Sequence, residues 1–110
     1  MKYLCLVYLE DDKLTAVPDR ECLNSSDEMK KQGLLLAAEP LFPAKTAKTV
    51  RIREGRMSIT DGPFAETKEQ LAGFYLIDAA SHDDALQIAA KIPPARTGSI
   101  EVRPVRELQP

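Results

Sequence analysis

The sequence predicts an α+β fold, with one antiparallel sheet that carries two helices on a single face. Three observations point there. Tyr3–Tyr8 and Gly73–Ile77 are apolar throughout rather than alternating, as strands buried on both sides are. Two segments carry helix start and stop signals, one opening at Pro18 and the other at Ser81. Between them in the chain, Thr49–Arg53 and Arg56–Thr60 alternate apolar with polar residues around Glu54-Gly55, a two-residue turn of the kind hairpins favour.

The chain's size and charge agree with a single domain. At 110 residues and 44% hydrophobic content there is room for one core of ordinary size. A net charge of −2 exerts no long-range pull on nucleic acid or an anionic membrane, so neither is an expected partner. The opening MKYLCLVYLEDD has one lysine and an apolar run too short for a secretory segment or a membrane span, which gives a cytoplasmic expectation. Cys5 and Cys22 have no CxxC spacing and no Cys/His cluster around them, so no metal, disulfide framework or cofactor is implied.

In order along the chain, the first strand is Tyr3–Tyr8, followed by a solvated turn at Glu10–Lys13. The first helix opens at Pro18, with Asp19 and Glu21 favouring the positive end of its dipole, and runs to Gly33. Asn24-Ser25-Ser26-Asp27 are poor helix formers and good caps, so this segment reads as one broken helix or as two. Leu34–Ala38 is the second strand, closed by Pro40 and Pro43. The hairpin then pairs Val50 with Ile59 and Ile52 with Met57 on one face, leaving Arg51, Arg53, Arg56 and Ser58 on a face that reads as solvated charge. Gly73–Ile77 is the next core strand. Ser81 caps a second helix with Asp83 and Asp84 in its first turn, and Pro93-Pro94 ends it. His82, the only histidine, falls at the exposed start of that helix and reads as solvated. The last strand, Ser99–Val105, alternates Ile100 and Val102 against Glu101 and Arg103, and Pro104 belongs at a sheet edge.

With right-handed crossovers this order is the ferredoxin-like β-α-β-β-α-β topology, with a hairpin inserted between its second and third core strands. Two helices cover only one face of such a sheet. The two central strands are apolar on both sides, so the helix-free face is expected to pack on the same face of a second copy, making a homodimer. A charge on that face, as in Tyr75→Glu if that side chain points there, is expected to dissociate it.

The densest chemistry lies in Asp61–Leu71, DGPFAETKEQL. Gly62 and Pro63 force a bend after Asp61, whose carboxylate alone would read as the acceptor of a local Asx-turn. The longer run DGPFAETKEQLAGFYLIDA resembles the signature of DGPF-domain proteins, a branch of the YciI-related (YCII) family. MKYLCLVY, TAKTVRIREGRMSITDGPF and IPPARTGSIEVRPV resemble the same family in order and spacing. The resemblance implies a ferredoxin-like fold that pairs into a dimeric α+β barrel and an enzymatic role without a named substrate. It also brings two departures. The first helix is shorter than in relatives, and it lacks the histidine of the His-Asp pair suggested for the wider YciI group, so that dyad does not carry over.

Two function classes follow. In one, the protein is an enzyme acting on a small, anionic metabolite, with Asp61, Glu66 or Glu69 as acid or base and Lys68, Arg96 or Arg103 as the substrate's counter-charge. Asp61, Glu66, Lys68 and Glu69 crowd beside the bend and are expected around one cavity, which Arg96, after the helix-ending prolines, and Arg103, on the polar side of the last strand, are expected to reach. In the other, the protein is a dimeric ligand-binding or accessory module, linked to an alternative sigma factor by the company such family members keep. There the polar stretch is structural, with Glu101 as the natural ion-pair partner of Arg103.

Overall fold

The computed structural model describes every residue from Met1 to Pro110. Six strands and two helices follow as β1 (Lys2–Leu9), α1 (Asp19–Lys31), β2 (Leu35–Pro40), β3 (Lys48–Arg53), β4 (Arg56–Asp61), β5 (Gln70–Asp78), α2 (His82–Ala89) and β6 (Ser99–Pro104). Four strands form one sheet in the order β2-β5-β1-β6, each pair antiparallel. This is the ferredoxin-like order. The apolar strands β1 and β5 take the centre. The proline-bearing β2 and β6 take the edges, where a missing N–H removes no ladder bond. β3 and β4 pair only with each other, in the register Val50↔Ile59, Arg51↔Ser58 and Ile52↔Met57.

The core lies on one face. Tyr3, Cys5, Val7 and Leu9 of β1, Tyr75 and Ile77 of β5 and Leu35 of β2 are buried beneath Met29 of α1 and Ala85, Ile88 and Ala89 of α2. Burial removes Cys5 from water and pushes its thiol pKa up to about 11. α2 opens as expected, with the Asp84 N–H donating to the Ser81 hydroxyl at 3.1 Å. Its first residue, His82, is exposed but lies against the Tyr3 ring, the centroids 5.5 Å apart.

Three expectations change. α1 is continuous through Asn24–Asp27, because anchoring by Met29 against the sheet outweighs the weak intrinsic propensity of those residues. It ends on Gly33, whose φ of 73° is open to glycine and lets the Leu34 N–H close on the Met29 carbonyl. β2 runs Leu35–Pro40, so Pro40 is the last residue of an edge strand rather than its terminator. Tyr75 points to the helices, not to the open face, because it pairs with Cys5 across β1 and paired residues share a face. Burial there raises its phenol pKa, helped by the neighbouring Cys22 and offset by the Ser26 hydroxyl.

Candidate functional site

The second face of the sheet carries no helix. Pairing sets its side chains in rows across the strands: Ala37, Leu76, Leu4 and Arg103 in one, then Glu39, Phe74, Leu6 and Glu101, then Leu71, Tyr8 and Ser99. The result is an apolar stripe down β1 and β5 flanked by charge, with Glu39 on one edge and Glu101 and Arg103 on the other. Arg103 is ion-paired with Glu101, its expected partner.

The stretch after β4 reaches this face at one end. Glu69 accepts a 2.6 Å hydrogen bond from the Ser99 hydroxyl, which places a carboxylate beside the Tyr8 row. Lys68 lies 3.3 Å from Glu10, at the end of β1. The loop holds this geometry from within. The Thr67 hydroxyl donates to the Glu69 carbonyl at 2.7 Å, and the Gln70 amide donates to the Ala65 and Thr67 carbonyls at 3.1 and 2.8 Å.

Asp61 and Glu66 sit elsewhere, at the hairpin base. Asp61 closes the β3–β4 ladder opposite Lys48, and their side chains pair at 2.5 Å in place of an Asx-turn. Gly62 needs its φ of 102°, donates to the Ala47 carbonyl at 2.7 Å and accepts from the Thr49 hydroxyl at 3.0 Å. Phe64 then lies under Arg51, whose guanidinium carbon is 5.7 Å from the ring centroid. The Gly-Pro bend is therefore fastened to the hairpin. Glu66 is exposed, its carboxylate near Gly62.

Arg96 lies in the helix layer, paired with Glu21 of α1 at 2.5 Å. It and Arg103 stand on opposite sides of the sheet. Of the six candidates, then, Glu69, Lys68 and Arg103 come to the open face, while Asp61, Glu66 and Arg96 do not join them within one chain. Two hollows of 440 and 240 Å³ lie beside α2 and between α1 and α2, sharing Leu34, Ile88 and Lys91, and none of the six lines either. The first is lined by Asp78, Asp84 and Lys91 and the second by Glu28 and Lys91, but neither gathers any of the six, so the open sheet face, which carries Glu69 and Arg103, is the better candidate. Tyr8, Ser99 and Glu39 are members that sequence reasoning missed. The period-2 alternation of β6 was the available signal for Ser99. No group of three or more His, Cys, Asp and Glu side chains is disposed to hold a metal ion. No helix is long and apolar enough to cross a membrane.

Fold and site together define a small ferredoxin-like α+β protein with an apolar, charge-edged sheet face. The chain belongs to the YCII-related domain family, which matches residues 1–109. It is similar to Uncharacterized protein R00369 of Rhizobium meliloti (strain 1021), 53% identical over 72 residues. That match covers 64% of this chain and 58% of the relative, so the chain spans less than two thirds of the relative's length. Among solved structures it is similar to the 5-chloro-2-hydroxyhydroquinone dehydrochlorinase of Burkholderia phenoliruptrix AC1100 in complex with 2,5-dihydroxybenzoquinone. The TM-score is 0.61 over 96% of this chain and 94% of that one, and at 14% identity the likeness shows the fold alone.

Proposed function

We propose that this protein is an acid–base enzyme for a small anionic metabolite, a member of the DGPF branch acting in the cytoplasm as a homodimer. The observation that carries the reading is the helix-free face itself. A half-buried apolar stripe of Leu4, Leu6, Phe74 and Leu76 ends at the Glu69–Ser99 contact and is flanked along β6 by Glu101 and Arg103. An apolar floor with a few convergent polar groups is the usual make-up of a small-molecule site. Glu69 is the acid or base, held by Ser99. Arg103 supplies a planar cation for a carboxylate or phenolate. A second copy packed face to face, as in a dimeric α+β barrel, would roof the stripe and exclude water. The dehydrochlorinase with its bound hydroxylated quinone makes an oxygenated ring a sensible first ligand class. Asp61 and Glu66 remain candidates only through a partner chain, and Arg96 only as a support for α1.

The test is thermal shift against a panel of small carboxylates, phenols and hydroxyquinones. A ligand that stabilises the wild type should bind at least about tenfold more weakly to Arg103→Ala while the unliganded melting temperature barely moves. No response to any anionic member overturns the reading. Equal loss of folding and binding would make Arg103 a structural partner of Glu101.

A further inference from the structure

The β3–β4 hairpin makes little sense in one chain. Its apolar side, Val50, Ile52, Met57 and Ile59, is 57 to 65% exposed, more open than any residue of the sheet core. An isolated two-stranded hairpin is marginal in water, and this one has no strand of the main sheet beside it. The radius of gyration, 15.6 Å, exceeds the roughly 13 Å of a compact domain this long, as a projecting arm requires.

Charge indicates what covers it. Lys48 to Asp61 contains four basic and two acidic side chains, a net +2; the whole chain is −2, so the remainder is −4. Arg51, Arg53 and Arg56 have no carboxylate within ion-pair distance in their own chain. On the body, Asp11, Asp12 and Glu39 are likewise left without a cation. A basic arm with a bare apolar side and an acidic body with a bare apolar face complement each other, but only between two molecules.

We propose that the hairpin is an intersubunit arm, its Val50/Ile52/Met57/Ile59 side packed on the body of a second copy, while the arginines on its opposite face give the arm the net positive charge that draws it to that acidic body. The inference rests on the homodimer reading above and extends it: each open sheet face is closed by a partner that also contributes an arm. The arm is the route by which Asp61 and Glu66 of one chain could approach the site of another.

Hydrogen exchange of the β3 and β4 amides tests it, with sedimentation alongside. In the wild-type dimer these amides should be protected at least about tenfold more than in monomers obtained by dilution or by Leu6→Glu. Met57→Glu should remove the arm's protection and weaken the dimer, and adding salt should weaken wild-type association more than that of Arg51→Glu/Arg53→Glu/Arg56→Glu. A dimer whose hairpin amides exchange as fast as in the monomer overturns the arm and leaves the sheet-to-sheet dimer standing. A monomer mass near 12 kDa at micromolar concentration overturns both. Hairpin protection that appears only on adding duplex DNA or RNA also overturns the arm, because the occupant would then be a nucleic acid.

Discussion

Glu69 and Ser99 are 30 residues apart in sequence and 2.6 Å apart in space, the Ser99 hydroxyl donating to the Glu69 carboxylate. The contact joins the start of β5 to the start of β6 across the end of β1. Glu69→Gln keeps an acceptor for Ser99 but cannot exchange a proton. For the ligand found by thermal shift, turnover should therefore fall by about 10²–10⁴ with binding largely kept. Ser99→Ala, which only frees the carboxylate, should cost less. Equal turnover in Glu69→Gln and wild type would remove Glu69 from the chemistry.

Gly98 holds the same corner together. A Cβ there would lie 2.1 Å from the Tyr8 carbonyl oxygen and 2.6 Å from Leu9 Cδ2, so β6 could not pair with β1 in its present register. Gly98→Ala should cost about 3 kcal/mol, near the top of the range for overpacking. Chemical denaturation would show it as a lower midpoint at unchanged slope.

Glu54 has φ 52° and Gly55 φ 75°, the left-handed pair of a type I′ turn. Glutamate is a poor occupant of the first position and asparagine a good one. Glu54→Asn should stabilise the hairpin by roughly 0.5–1 kcal/mol. Slower exchange of the β3 and β4 amides, without change in β1, is the expected signature.

Alkali should unfold the protein through Cys5. Below pH 9 the thiol is neutral in both states. Between 9 and about 11 the unfolded chain ionises while the buried thiol does not, so stability falls as pH rises, by at most about 3 kcal/mol. The phenol of Tyr75, also raised by burial, acts in the same direction at higher pH. Urea unfolding at pH 8 and pH 11 should show a smaller loss for Cys5→Ala than for wild type, and identical losses would exclude Cys5 as the source.

Leu6→Glu and Tyr75→Glu separate the two faces. Leu6 lies on the open side between Phe74 and Glu101, so its replacement should yield a folded monomer. Tyr75 is buried under α1, and a charge there should unfold the chain, since an unpaired buried charge costs several kcal/mol. Circular dichroism with sedimentation distinguishes the outcomes.

Much of this architecture is local and therefore readable from residues alone. Unbroken apolar runs marked β1 and β5 as central, Pro104 sent β6 to an edge, and Ser81 with its two aspartates opened α2. Each is a signal carried within a few neighbouring residues. Which side of each strand faces the helices is not. In an all-apolar run the period of two leaves both faces alike, and only the pairing of Tyr75 with Cys5 assigns Tyr75 inward and Phe74 outward. The site has the same origin. Asp61 through Glu69 look like one cluster in the chain, yet the fold ties Asp61 back to Lys48 on the hairpin while carrying Glu69 forward to Ser99. Ion pairs and hydrogen bonds form between groups that the backbone brings within reach, and that reach is set by strand order and register, which no stretch of sequence specifies on its own.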